Sequence, residues 1–178
     1  MFENLGLLYK SYGGIASLLK SRYFQVALGL SIFSAVVLGS NSWASVSISA
    51  LPSLTGFSVA SFALVFSVLD RKQILSLVKP DKDGNAPLLS FTAAIAHAVV
   101  VQVSAILFAV LEIFSRSTSD IQGFCVISGS PHDCAQFIEI MSSTFDFLGR
   151  FLLIYAIILI LAAVLSFFRM VSAISRSL

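Results

Sequence analysis

The side chains able to do chemistry are few and fall in two places. His97, Gln102, Ser104 and Glu112 share one otherwise apolar stretch, and Cys125, His132, Asp133 and Cys134 lie close together further on. His97 and Ser104 are seven residues apart, so a helix puts them on one face and turns Gln102 well away. Polar groups buried at such depth cost on the order of several kcal/mol unless paired, which makes them functional candidates by default. The plainer role is hydrogen bonding to a neighbouring helix; sensing, gating or a proton path are the sharper ones. A metal site from Cys125, His132, Asp133 and Cys134 lacks a second CxxC or HxxH element. A Cys125–Cys134 disulfide, closing a loop worth roughly 2.7 kcal/mol in chain entropy, is the preferred reading, with no metal.

Charged pairs add little chemistry. Glu112 with Arg116, and Asp146 with Arg150, stand at i,i+4 on a helix. They read as anchors of helix ends in a headgroup region, or as a charged ring at a pore mouth. Phosphate and calcium motifs fail. Gly13-Gly14 is not followed by GxxxxGK[ST]. Asp81-Lys82-Asp83-Gly84-Asn85 has its glycine at position four of the loop rather than six, and Thr92 where the glutamate belongs. No carboxylate pair suited to acid–base work sits inside an apolar run. The expectation is a protein without enzymatic activity or cofactor.

The elements that must position these residues follow from composition. Of 178 residues, 57% are hydrophobic and 11% charged, against about 25% charged in soluble domains. A net charge of +2 is too mild to imply direct nucleic-acid binding. Charge-free runs extend over Tyr23–Leu69, Gly84–Leu111 and Phe151–Phe168. A helix crosses the hydrocarbon with about 20 residues, so the first run holds two spans and a turn bracketed by Gly39-Ser40-Asn41-Ser42 and Leu51-Pro52-Ser53. The predicted fold is an all-α membrane protein with four spans, near 23–38, 52–69, 88–114 and 151–168. Loops cover 70–87 and 115–147. A β-barrel is excluded because the runs lack alternation, and a cleaved signal peptide fits poorly because the leader is long and apolar.

Lys10, Lys20, Arg22, Arg71, Lys72, Lys79, Lys82, Arg169 and Arg176 fall on one side of this arrangement, and only Arg116 and Arg150 on the other. The positive-inside rule therefore predicts cytoplasmic termini, a cytoplasmic 70–87 loop and an external 115–147 loop. That puts both cysteines in an oxidising compartment, where a disulfide persists. In the arm 1–22, Leu5, Leu8, Tyr9, Tyr12, Ile15 and Leu19 form one apolar stripe with basic neighbours. This predicts an amphipathic helix lying on the membrane surface. Small residues recur at four-residue spacing: Ala27, Ser31, Ala35 and Gly39 in span one, Gly56 and Ala60 in span two, and Ala94, Ala98, Ala105 and Ala109 in span three. They mark close helix packing, within the fold or in an oligomer. The short link makes spans one and two antiparallel neighbours.

The basic arm, the four spans, the tight first hairpin and the segment Leu51-Pro52-Ser53-Leu54-Thr55-Gly56-Phe57-Ser58 running to Leu69-Asp70-Arg71-Lys72 resemble the KwaA-like membrane subunits of the Kiwa antiphage defence system. The resemblance covers most of the chain as topology. It implies a homo-oligomeric inner-membrane sensor, a tetramer, working with a cytosolic DNA-binding partner; it assigns no residue roles. From the residues themselves, the loop's Arg71, Lys72, Lys79 and Lys82, with Leu75 and Leu77 as apolar anchors, are the expected docking surface for a soluble partner, membrane lipid being the simpler contact. An oligomeric pore built on the polar residues of span three is the alternative. A transporter would need an internal repeat or broken helices.

Overall fold

The computed structural model describes residues 19–38, 43–79, 86–117 and 131–177. The arm 1–18, Gly39, Lys82 and Cys125 lie outside the described residues, and so do the side chains of Arg116, His132, Asp133 and Cys134. The expected surface helix of the arm and the disulfide fall there.

Among the described residues the fold is all-α, without strands. Its helices are α1 (Arg22–Leu38), α2 (Trp43–Val68), α3 (Arg71–Val78), α4 (Pro87–Ser117) and α5 (Pro131–Ser177). Three of them are long and apolar enough to cross a membrane, over Trp43–Ser67, Leu88–Phe114 and Ile138–Arg169. α1 has 17 residues and reaches about 25 Å, short of a 30 Å hydrocarbon core. It is the shorter fourth helix of the bundle.

Local chemistry sets the starts. Ser21 caps α1: its hydroxyl accepts the Phe24 amide at 3.2 Å, and its carbonyl accepts the Gln25 amide. Pro87 and Pro131 open α4 and α5, where a missing N–H removes no helical bond. Chain-exposed apolar side chains are abundant, with Val36 at 80% and Phe114 and Phe168 at 68%. Water would penalise such surfaces; a hydrocarbon solvent does not.

α4 is the central helix, packed against both α2 and α5, while α1 leans on α5. One buried cluster joins Ala27, Trp43, Leu51, Ala98, Ala105, Ala109 and Ala156 with Phe151 and Tyr155. A second, near α3, joins Val65, Leu77, Leu88, Phe91 and Ile95. The alanines let the three long helices approach closely, so dispersion rather than water expulsion holds them.

Four expectations change. Spans one and two are not packed as neighbours: α1 follows α5, because Phe24 meets Phe151 and Tyr155 edge-on at 5.2 and 5.6 Å. Those partners stand at the start of the charge-free run of α5, not at its far end. The second helix starts at Trp43 and carries Pro52 in its interior. The adjacent Leu51 is completely buried, and packing overrides a proline that sequence reading treats as punctuation. The 70–87 loop contains α3. Finally, the second half of the expected external loop is helix, continuous with the last span in a 47-residue α5. Adding a residue to an existing helix costs no new nucleus, and Phe145 stacks on Phe108 at 5.1 Å to hold that extension against α4.

Candidate functional site

The polar residues of α4 point to different neighbours. His97 is 3% exposed, and its Nε2 lies 3.0 Å from the Tyr155 hydroxyl of α5. Which of the two donates depends on the imidazole tautomer. Gln102 is fully buried, and its Nε2 donates to Ser58 Oγ of α2 at 3.5 Å, a long bond. Five residues turn a helix by about 140°, so one α4 segment holds α5 with His97 and α2 with Gln102. Ser104 donates to the Val100 carbonyl within its own helix at 2.8 Å and joins no partner of His97. Glu112 is buried; the side chain of its expected partner Arg116 lies outside the description.

The second polar group sits where α2 begins. Arg150 Nη2 donates to Asp146 Oδ2 at 2.6 Å, the expected i,i+4 pair. Trp43 Nε1 donates to the other carboxylate oxygen, Oδ1, also at 2.6 Å. Arg150 is 5% exposed, so its side chain is packed against the bundle. Gly149 makes room for this: a Cβ there would strike the Trp43 indole ring. Arg150 Nε and Gln102 Oε1 have no hydrogen-bond partner among the described residues.

Sequence reasoning found the Asp146–Arg150 pair and the buried polar positions of α4. It missed Trp43, Gly149 and Tyr155. A signal existed for two of them: Trp43 is the only tryptophan of the chain and follows a turn, and Tyr155 carries the one hydroxyl between Phe151 and Leu165.

The small-residue positions divide. Ala27 and Ser31 are fully buried, and Ala98, Ala105 and Ala109 lie in the core. Ala35, Gly56 and Ala60 are exposed. At the opposite end, α3 sends Leu77 (5% exposed) into the second cluster, with Ile74 packed beside it. Leu77 is thus a structural anchor rather than part of a free docking face, because an amphipathic eight-residue helix must bury its apolar side against the bundle. Leu75 and Val78 remain 58% and 52% exposed, alongside exposed Arg71, Lys72 and Lys79.

Chemically, these groups clamp helices to one another. His97 meets the Tyr155 phenol, and no group of three metal-ligating side chains exists among the described residues. The class of protein this defines is a multi-pass helical membrane protein. No family model, curated protein or solved structure matches the chain.

Proposed function

We propose that this protein is a non-enzymatic sensor and scaffold of a bacterial inner membrane, with cytoplasmic termini, that recruits a soluble effector to the membrane surface. One observation carries the reading. α3 is held to the bundle by Leu77 and presents Arg71, Lys72, Leu75, Val78 and Lys79 outward, a small mixed apolar and basic face on a fixed support. A few buried anchors carry most of the energy of a docking surface, and here Leu75 and Val78 would supply the apolar ones beside three cations. The resemblance to KwaA-like subunits supplies the setting, antiphage defence by a homo-oligomer with a cytosolic DNA-binding partner.

The competing pore reading relied on the polar residues of α4. His97 and Gln102 bond to α5 and α2 of the same chain, which supports a clamp over a water-lined path. Two experiments test the proposal together. The purified protein in liposomes is expected to pass no current above the lipid background. Replacing Leu75 and Val78 by serine is expected to abolish recovery of a co-expressed DNA-binding partner while membrane insertion persists. Steady conductance, or unchanged partner recovery by the double variant, overturns it.

A further inference from the structure

An apolar cavity of about 470 Å³ opens between α2, α4 and α5. Val65 of α2 with Leu69 just past its end, Phe91 and Ile95 of α4, and Ala163 and Phe167 of α5 line it. Ser58 also borders it but donates its hydroxyl to the Leu54 carbonyl at 2.9 Å, so it presents no unmet polar demand to an occupant. The size is that of a ligand pocket, and its walls lie within three helices able to cross a bilayer.

Its length and its surroundings identify the occupant. Along α5 the lining runs from Ile160 to Val171, about 16 Å at the helical rise. That is about half of a 30 Å hydrocarbon core, the depth of one leaflet. A crossing helix from another chain would need a groove of full depth; one acyl chain needs only this. The end of the cavity at Leu69, Phe91 and Val171 is the end that α3 covers, since Leu77 shares a cluster with Val65, Phe91 and Ile95. There, exposed Asp70, Arg71 and Lys72 directly follow Leu69 of the lining, whereas Lys79 lies past the far end of α3 and Arg169, about 180° around α5 from Ile160, faces away from the groove. Two cations against one carboxylate at the mouth of a leaflet-deep apolar groove favour an anionic headgroup above its own tail.

We infer that this groove is a binding site for one acyl chain of an anionic phospholipid, whose headgroup is held by Arg71 and Lys72. The inference rests on the three long helices crossing a bilayer and not on recruitment of an effector. A failed pull-down and a failed lipid measurement are therefore separate results.

The full chain, extracted from nanodiscs of equimolar phosphatidylglycerol and phosphatidylcholine, is examined by native mass spectrometry. The expected result is one retained phospholipid per chain, with phosphatidylglycerol favoured on the order of tenfold or more. Replacing Arg71 and Lys72 by alanine brings the two lipids to near parity. Those residues are exposed, so this variant leaves the fold intact. Ala163→Phe fills the groove and cuts retained lipid of both kinds. Where Trp43 emission shows that this variant has lost its packing, Ser61→Leu repeats the test from the α2 wall, which Ser61 also lines. Equal retention of the two lipids by the wild type overturns the inference, as does undiminished lipid on a folded, filled-groove variant. A dimer that Ala163→Phe splits would assign the groove to a second copy and overturn it equally.

Discussion

Gly149 and Trp43 show what one missing methyl group decides. In an isolated helix, alanine is favoured over glycine by about 1 kcal/mol. Here a Cβ would strike the indole, whose Nε1 is tied to Asp146, so the ring has no free swing. Gly149→Ala is expected to destabilise the protein by about 1–3 kcal/mol despite its better helix propensity. Because Trp43 is the only tryptophan, its fluorescence reports this site alone. A red-shifted emission with a lowered Tm in detergent is expected; an unshifted spectrum and a raised Tm would show that the ring is not seated on Gly149. The His97–Tyr155 bond is a second residue-scale case. Interhelical hydrogen bonds in membrane proteins average about 0.6 kcal/mol, reaching about 1.7. Tyr155→Phe keeps the ring stacked on Phe151 and removes only the hydroxyl. A double-mutant cycle of Tyr155→Phe with His97→Ala should give a coupling in that range, and a coupling of zero would break the clamp.

At the scale of the element, α3 is instructive because its two faces carry opposite expectations. Leu77 shares its cluster with Val65, Leu88, Phe91 and Ile95, so Leu77→Ser buries a hydroxyl among apolar side chains and leaves space behind. Large-to-small changes of this kind cost about 2–5 kcal/mol. Leu75→Ser and Val78→Ser alter exposed positions and should stay within about 0.5 kcal/mol. Thermal melts of the three single variants in one detergent should therefore separate Leu77 from the other two. Equal loss at all three would mean that α3 lies flat in another contact. The same reasoning shows why a docking experiment aimed at Leu77 would confuse unfolding with lost recognition.

At the scale of the whole molecule, orientation is an expectation of the positive-inside rule: in the four-span reading, nine of the eleven basic residues share one side. In a background with Cys125 and Cys134 replaced, a cysteine at exposed Gln136 should label with a membrane-impermeant reagent in intact cells. One at exposed Leu75 should label only after lysis. The reverse pattern would invert the protein, and labelling at both positions would sink the topology altogether. In the native chain, that orientation would put Cys125 and Cys134 outside, so a mass two hydrogen atoms below the dithiol is expected without reductant. Two free thiols would count against both the disulfide and the external assignment.

The membrane class, the helical content and the approximate places of the long helices were legible in the sequence, because bilayer thickness fixes how many apolar residues a crossing needs. The Asp146–Arg150 pair was legible for a similar reason: i,i+4 spacing is a property of one helix and needs no knowledge of its neighbours. What depends on which helices touch was not legible. Pro52 reads locally as a turn residue but sits inside α2 beside buried Leu51. Leu77 and Leu75, two positions apart on the same short helix, differ tenfold in exposure only because α4 covers one of them. α1 packs on α5 although a four-residue link ties it to α2. Periodicity and charge are local quantities and survive in one dimension. The partners of Trp43, His97 and Gln102 are set by the packing of α2, α4 and α5, and only the tertiary structure decides them.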